Sequence, residues 1–268
     1  MRPEGMSAPT VINLRSEREI ELMRRAGQIV AGALKLAGEI IRPGLETQEI
    51  DRAMGEYIAS QDAGIAFKGY RGFPANVCIS VNEQVVHGIP GPRKLAEGDI
   101  VGIDVGSIYH GYYGDAAKTF AVGKISKRAE RLMRVTETAL KLAIEKVQPY
   151  VRLYTIAETI QRYAEAQGYS VVRQYVGHGI GQEMHEDPQV PNFVLNASLD
   201  EWDHVLAPGA VIAIEPMVNE GTHETKQLSD KWTVVTKDGR LSAHFEHTVA
   251  VTETGHEVLT QLPGEPPL

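Results

Sequence analysis

The hydrophobic positions of the chain repeat with a helical period in four stretches, two in each half. Apolar residues recur there about every 3.6 positions, which predicts amphipathic helices. The second stretch opens on Thr47, with Gln48 and Glu49 close behind, a combination typical of a helix beginning. The predicted helices cover residues 17–41, 47–61, 127–147 and 155–167.

Short runs of strand-forming residues follow each pair of predicted helices. They are bounded by glycine, proline and polar residues, as strands usually are. Helices that precede mostly antiparallel strands predict an α+β fold in which the helices back a sheet. The predicted strands cover residues 77–81, 100–105, 117–122, 171–175, 211–215, 232–236 and 245–251.

Two pairs of matching segments indicate that the halves of the chain are related. The segment ALKLA occurs at 33–37 and again at 139–143, each time inside a predicted helix. The segment LAEGDIVGID at 95–104 aligns without a gap with LAPGAVIAIE at 206–215, and both end on an acid. Chance could account for the first match alone, but two matches in the same order favour an internal duplication.

Composition narrows the class of protein. The 268 residues are 43% hydrophobic, which is enough for a sizeable core and argues against global disorder. A net charge of -8 argues against a nonspecific grip on nucleic acid or on an anionic membrane. The single cysteine, Cys78, excludes an internal disulfide and fits a reducing compartment. We find no signal peptide and no apolar run long enough to span a membrane.

Four acids lie in or beside the predicted strands. Asp104 ends one apolar run, and Asp115 follows after a turn-rich stretch, so a hairpin would bring the two together. Glu215 ends its own apolar run, and Glu246 is flanked by strand-forming residues. Buried carboxylates are costly unless they are neutralised, paired or bound to metal. Four of them, two in related positions, favour a site for divalent cations.

The imidazole candidate for such a site is His178, which lies between glycines in VGHGIGQ. We expect the glycines to let His178 project from a tight turn. A dinucleotide loop is disfavoured, because His185, Asp187 and Pro188 follow where a helix would be needed. Oxygen ligands with one imidazole suit Mn, Fe, Co or Zn. His87 and His185 share this glycine- and proline-rich setting. The histidines interpreted as structural are His110, His204, His223, His244 and His256.

With these residues in place, the chain resembles the type I methionine aminopeptidases in their short bacterial form. The resemblance runs from about residue 13 to 260 and is very specific, because five ligand positions match in order. It implies the pita-bread fold, an α+β fold with two pseudo-symmetric halves around a central site for two metal ions. The segments that carry it are GFPANVCISVNEQVVHGIP, GDIVGIDVGSIYHGYYGDAAKTF, VGHGIGQEMHEDPQVPNF, IEPMVN and FEHTVAV.

The resemblance also implies roles for individual residues. It makes Glu215 the general base toward a metal-activated water and His185 the stabiliser of the tetrahedral intermediate. His87 would steer the substrate amide or shuttle a proton. The implied metal ligands are Asp104, Asp115, His178, Glu215 and Glu246, of which Asp115 and Glu246 would bridge the two ions. The implied wall of the methionine pocket consists of Phe67, Tyr70, Phe73, Cys78, Met184 and Trp232.

The domain layout and partners follow from the same resemblance. We expect one catalytic domain at 13–260, with halves at about 13–125 and 126–260, and irregular tails at 1–12 and 261–268. The implied substrates are the N-termini of nascent polypeptides with a small second residue. We expect a cytoplasmic monomer that associates transiently with the ribosome and has no nucleic-acid specificity.

Two alternatives remain open from the residues alone. A proline-specific peptidase of the same fold would carry a similar ligand set, although such enzymes usually have an additional N-terminal domain. A binding module that has lost its metals is the second alternative, and retention of all five ligand positions weighs against it.

Overall fold

The fold was described from a computed structural model, which covers residues 11–194 and 202–265. The predicted N-terminal tail lies mostly outside these residues, and so does the end of the C-terminal tail from 266 onward. Residues 261–265 form turns without a helix or strand, as predicted. Within the described ranges, no helix is both long and apolar enough to cross a membrane.

All four predicted helices are present. The first begins at a capping box, in which Ser16 donates its backbone N–H to the Glu19 carboxylate at 2.8 Å. The third is shorter than predicted, because the chain turns before Pro149, whose ring disfavours a helical residue ahead of it. The helices are α1 (Glu17–Ile40), α2 (Thr47–Ser60), α3 (Lys127–Ile144) and α4 (Leu153–Ala166).

A strand is present at each predicted position, although its length differs from the prediction. In the second half several strands are shorter than predicted, so that Glu215 and Glu246 stand just outside a strand rather than in one. The first-half strands are β1 (Gly64–Ile65), β2 (Cys78–Val81), β3 (Gln84–Val86), β4 (Ile100–Tyr109) and β5 (Tyr112–Ala121). The second-half strands are β6 (Val151–Arg152), β7 (Ser170–Val171), β8 (Gly177–Gly179), β9 (Glu186–Val190), β10 (Val205–Leu206), β11 (Val211–Ile214), β12 (Met217–Asn219), β13 (Thr225–Gln227), β14 (Val234–Thr236), β15 (Ser242–His244), β16 (His247–Val251) and β17 (His256–Val258).

The hairpin of β4 and β5 is much longer than its apolar runs predicted. The stretch 109–114 was interpreted as rich in turns, yet most of it belongs to the strand ladder, which continues as far as the pair Tyr109 and Tyr112. The turn itself is only His110 and Gly111, which both have positive φ values, of 48° and 83°. Such a two-residue turn matches the twist of the flanking strands and therefore lets the ladder run to its end.

Two sheets dominate the fold, and the helices back them as predicted. In the first half β4 pairs with β1, β2 and β5, and α1 packs across β4 and β5. In the second half the strand order is β17-β16-β11-β8-β9, and α3 and α4 pack against each other. All strand pairs in the described part of the chain are antiparallel.

An isolated backbone bridge between Ala117 and Glu246 connects the β5 side of the first sheet to the β16 side of the second. Glu246 donates its backbone N–H to the Ala117 carbonyl oxygen at 2.9 Å, and Ala117 donates in return at 3.4 Å. The candidate site lies at this junction, because it draws its acids from both sheets.

Candidate metal centre and substrate pocket

The register of the long hairpin brings the first two acids together. Asp104 pairs with Ala117, and Asp115 pairs with Gly106, two positions farther along the same ladder. Residues two apart share a face of a sheet, so both carboxylates project from one face. The predicted hairpin contact between Asp104 and Asp115 is therefore present.

The second sheet places the remaining ligand candidates opposite these acids. His178 lies in β8 and pairs with Ala213 of β11, directly before the segment that presents Glu215. The expectation that His178 projects from a tight turn was wrong, because the residue is part of a strand. Its glycine neighbours are needed for close approach: a Cβ atom at Gly179 would lie 2.2 Å from the Asp187 carbonyl oxygen.

The side chains from the two sheets converge closely. The Nε2 atom of His178 lies 3.6 Å from Oε1 of Glu215 and 4.0 Å from Oδ2 of Asp115. Ligand atoms of Asp115, His178 and Glu246 all lie within 4.8 Å of one another. That spacing suits a single ion bound at roughly 2.0–2.2 Å from each donor. Asp104 lines the same cavity.

Three carboxylate oxygens at this centre lack hydrogen-bond partners, and this indicates whether a cation would fit among them. Oδ1 of Asp104, Oδ1 of Asp115 and Oε1 of Glu246 are buried without a hydrogen bond. A buried polar atom of this kind is costly unless it binds something. Oxygen donors beside an imidazole are a suitable ligand set for a divalent transition metal, so the residues fit the metal that the sequence implied.

Burial also controls the protonation of the four acids in the metal-free protein. It raises the pKa of Asp104 from the ordinary 3.8 to about 7, with an opposing interaction from Asp115. It raises the pKa values of Asp115, Glu215 and Glu246 well above their ordinary range, and neighbouring carboxylates add to each shift. Both effects disfavour the charged carboxylates, and a bound cation would oppose them by lowering these pKa values.

The raised pKa of Asp104 predicts how the stability of the metal-free fold depends on pH. Between pH 3.8 and about 7 the unfolded chain loses this proton while the folded chain keeps it. The metal-free fold therefore loses stability as pH rises through this window. The Asp104→Asn variant lacks this titration. The melting temperature of the variant in EDTA, minus that of the parent, should therefore increase from pH 4 to pH 7. A gap that stays constant or narrows with pH would contradict the assignment. Added divalent metal should stabilise the parent more as pH rises, because ligands bind deprotonated.

The three histidines that the sequence analysis assigned to the site are kept neutral. Burial lowers the pKa of His178 to about 3 and that of His87 to about 4, and His185 adds to both shifts. Burial also lowers the pKa of His185, with Arg71 contributing. Neutral imidazoles can bind metal or act as hydrogen-bond donors, as the predicted roles require.

Contacts to aromatic rings orient His185 and His87. The hydroxyl of Tyr70 and Nδ1 of His185 form a 2.8 Å hydrogen bond, which leaves Nε2 as the ring nitrogen for a substrate. His87 packs edge-on against Tyr175 and Trp232, at centroid distances of 5.5 and 6.3 Å. Its backbone adopts φ 58°, an uncommon left-handed conformation that is typical of functional sites.

The predicted pocket residues form one cavity of about 140 Å³ together with all five ligand candidates. This is smaller than the roughly 300–1,000 Å³ typical of pockets for drug-sized ligands and suits a single side chain. Cys78 pairs with Asp104 across β2 and β4, so both face the site. The predicted wall residues Phe67, Tyr70, Phe73, Cys78, Met184 and Trp232 all line the cavity.

Two residues of the site were missed by the sequence interpretation. Arg71 lines the pocket, and its guanidinium lies 5.3 Å from the ring centre of Tyr70. His244 was interpreted as structural, yet its Nε2 atom lies 3.9 Å from Oε2 of Glu215 and 3.9 Å from Oε2 of Glu246. That nitrogen is buried and lacks a hydrogen-bond partner. Its position two residues before Glu246 was a signal that could have found it, because alternate strand residues share a face.

Comparison with known proteins agrees with this geometry. The model of metallopeptidase family M24 matches residues 21–253. A protein of Clostridium perfringens named methionine aminopeptidase is 52% identical over 250 residues, which cover 93% of this chain and 99% of that protein.

Solved structures give the same result. The crystal structure of methionine aminopeptidase from Thermotoga maritima superposes with a TM-score of 0.90 at 44% identity, over 94% of this chain and all of that one. A prolidase from Pyrococcus furiosus superposes with a TM-score of 0.74 at 24% identity, over 92% of this chain and 65% of the prolidase. The second likeness shows the shared fold alone.

Proposed function

The chain belongs to metallopeptidase family M24, and we propose that it is a type I methionine aminopeptidase that removes the initiator methionine from new polypeptides. One observation carries the proposal: an apolar pocket sized for a side chain opens directly onto five converging metal-ligand candidates. An exopeptidase needs this juxtaposition, because the scissile bond lies one residue from the N-terminus. The strong likeness to proteins named methionine aminopeptidase supports the substrate class.

We infer that the site holds two divalent ions, drawn from Co, Mn, Fe and Zn. Asp104, Asp115, His178, Glu215 and Glu246 would hold these ions, as the family resemblance implies. When bound, such ions supply a Lewis acid and lower the pKa of coordinated water.

The protein's own residues then direct the proton and the substrate. Glu215 accepts a proton from the attacking water, acting as the general base. His185, held through Nδ1 by Tyr70, presents Nε2–H to the oxygen on which negative charge develops. His87 lines the same cavity, where its ring steers the peptide amide or carries the proton to the leaving amine.

The wall of the pocket suits a thioether. Phe73 and Trp232 meet edge to face at 5.1 Å, and Met184 lines the same cavity. Sulfur makes favourable contacts with aromatic rings, and flexible Met side chains fill the remaining space. We infer that the methionine side chain is bound here.

Substrate assays test the function directly. We expect efficient cleavage of Met-Ala-Ser and little cleavage of a matched Met-Lys peptide, because steric exclusion beside the ions would admit only a small second residue. An X-Pro dipeptide serves as the control for a proline-specific peptidase, the alternative that the low-identity prolidase likeness does not favour. Comparable rates on Met-Ala and Met-Lys peptides would refute the proposed specificity, and preference for X-Pro would refute the function.

Cys78 provides an independent test of the pocket. Burial raises the pKa of its thiol well above the ordinary value, and nearby carboxylates including Asp104 add to the shift. We therefore expect a bulky thiol reagent to react slowly at neutral pH, to abolish activity by filling the pocket, and to leave the metals in place. Free methionine should slow the labelling. Cys78→Ser should keep most of the activity and lose the inhibition; labelling with full activity retained would place Cys78 outside the pocket.

The cellular setting completes the proposal. We infer that the protein is a cytoplasmic monomer that acts on nascent polypeptide N-termini during transient association with the ribosome. Its net charge of -8 supports the absence of a nonspecific affinity for nucleic acid.

A further inference from the structure

The segment that carries Met184 and His185, residues 181–186, has little regular structure of its own. A carboxylate fixes its conformation. Oε1 of Glu186 accepts hydrogen bonds from the backbone N–H groups of Gln182 at 2.9 Å and Glu183 at 3.1 Å. A pocket residue and a residue of the proposed catalytic machinery therefore depend on where Glu186 is held.

The other oxygen of Glu186 is bound by the segment ahead of α1. Asn13 donates its side-chain N–H to Oε2 at 2.8 Å, and the Arg15 guanidinium forms an ion pair with the same oxygen. The side chains of Arg15 and Glu186 are each only 8% exposed. A buried, hydrogen-bonded ion pair fixes geometry much more tightly than an exposed one.

Arg15 is itself fixed to the second half of the chain. Its backbone N–H donates to the Gly209 carbonyl oxygen at 2.8 Å, and the neighbouring Leu14 forms a bridge with Ala210. Its guanidinium lies so close to Gly181 that a Cβ atom there would stand 2.0 Å from it. The ion pair is thus packed against the first residue of the loop that it holds.

A second connection leads from the loop to the beginning of α1. Gln182 donates its side-chain N–H to the Tyr112 hydroxyl at 3.0 Å, and that hydroxyl donates to Glu19 at 2.8 Å. The loop is therefore fastened at both ends to residues around the start of the first helix.

We propose that Arg15 and Glu186 are positioning residues, which hold residues 181–186 so that Met184 closes the methionine pocket and His185 faces the scissile bond. The inference rests on the proposed function for its substrate, and on the contacts alone for the position of the loop. Without the pair, the loop loses its anchor, and both the shape of the pocket and the placement of the His185 imidazole change. Displacements of about 1 Å can cost on the order of 100-fold in rate.

The test compares the parent with Arg15→Met and with Arg15→Lys in the full-length, metal-loaded protein. We expect Arg15→Met to lower kcat/KM on a Met-Ala-Ser peptide by on the order of 10- to 100-fold. The ratio of kcat/KM for methionine over norleucine peptides should also shift, because the pocket wall moves. Arg15→Lys keeps the charge and should recover most of both values.

A spectroscopic readout follows the loop without using activity. The 13C-methyl signal of Met184, assigned with Met184→Leu, should move or broaden in Arg15→Met and return toward its parent position in Arg15→Lys. The double variant Arg15→Met/Glu186→Gln removes both charges and so avoids an unpaired buried carboxylate. It should reproduce the effects of Arg15→Met even if the single variant folds poorly.

Arg24→Met is the matched control, because Arg24 of α1 forms a half-buried ion pair with Glu257 of β17, away from the loop. It should lower the melting temperature while leaving the methionine-to-norleucine ratio and the Met184 signal unchanged. The inference is overturned if Arg15→Met leaves the ratio and the Met184 signal at their parent values. An inactive parent would overturn the proposed function instead, while the Met184 signal would still report on the loop.

Discussion

Glu215→Gln should leave the fold intact and lower kcat by about 10²- to 10⁴-fold, the usual cost of losing a general base. Gln keeps the shape of the side chain but cannot accept the proton from water, and it removes one charge from the ligand set. Glu215 suits the role, because its two oxygens lie 3.6 Å from His178 Nε2 and 3.9 Å from His244 Nε2. Neutral imidazoles therefore flank the carboxylate on both sides.

Glu220→Gln provides the matched control for this substitution. Its side chain is 12% exposed, close to the 14% of Glu215, and it forms an ion pair with Arg128. Its carboxylate does not line the site cavity. The control should show parent-like kcat, and both variants should be assayed at saturating metal. A Glu215→Gln enzyme with nearly parental kcat would refute the general-base assignment.

His178→Ala should abolish one of two metal-binding events in calorimetric titration and lower activity accordingly. Among the five proposed ligands His178 is the only imidazole, and the acids divide between both ions. Removing it strips a donor from one ion while Asp104, Asp115 and Glu246 still serve the other. Two binding events of unchanged affinity would contradict its assignment as a ligand.

His244→Ala distinguishes a ligand from a neighbour of ligands. Its Nε2 atom lies as close to Glu215 and Glu246 as that of His178 does to its carboxylates, yet we do not count it among the five ligands. We expect both binding events to survive in this variant with weaker affinity, since loss of a residue that orients a ligand typically costs 10- to 100-fold. Loss of a whole binding event would make His244 a ligand itself.

Much of this architecture could be predicted from local patterns. Helix periodicity found all four helices, and the apolar runs ending at Asp104 and Glu215 located two of the acids. The other acids were predicted as ligands because a carboxylate in a strand-forming segment is costly to bury unless it is paired or binds metal. The family resemblance supplied the wall of the pocket, which periodicity alone would have interpreted as ordinary core.

The wrong predictions concern residues whose conformation or role depends on segments that are distant in the sequence. The stretch from Tyr109 to Gly114 has the composition of a turn, yet pairing of β4 with β5 leaves only His110 and Gly111 outside the two strands. His178 has the glycine neighbours of a turn, yet those glycines are there because carbonyl groups of adjacent segments approach closely. The only signal for His244 was its place two residues before Glu246, because its importance comes from two carboxylates that different segments bring to it.

The bridge between Ala117 and Glu246 has a consequence for the order in which the protein is made. Asp104 and Asp115 leave the ribosome early, but Glu246 follows more than a hundred residues later in the sequence. Until that last acid emerges and its backbone joins β5, the growing chain has only part of the proposed ligand set. We therefore expect an incomplete chain to lack peptidase activity, and hydrolysis to begin only after the second half has docked on the first.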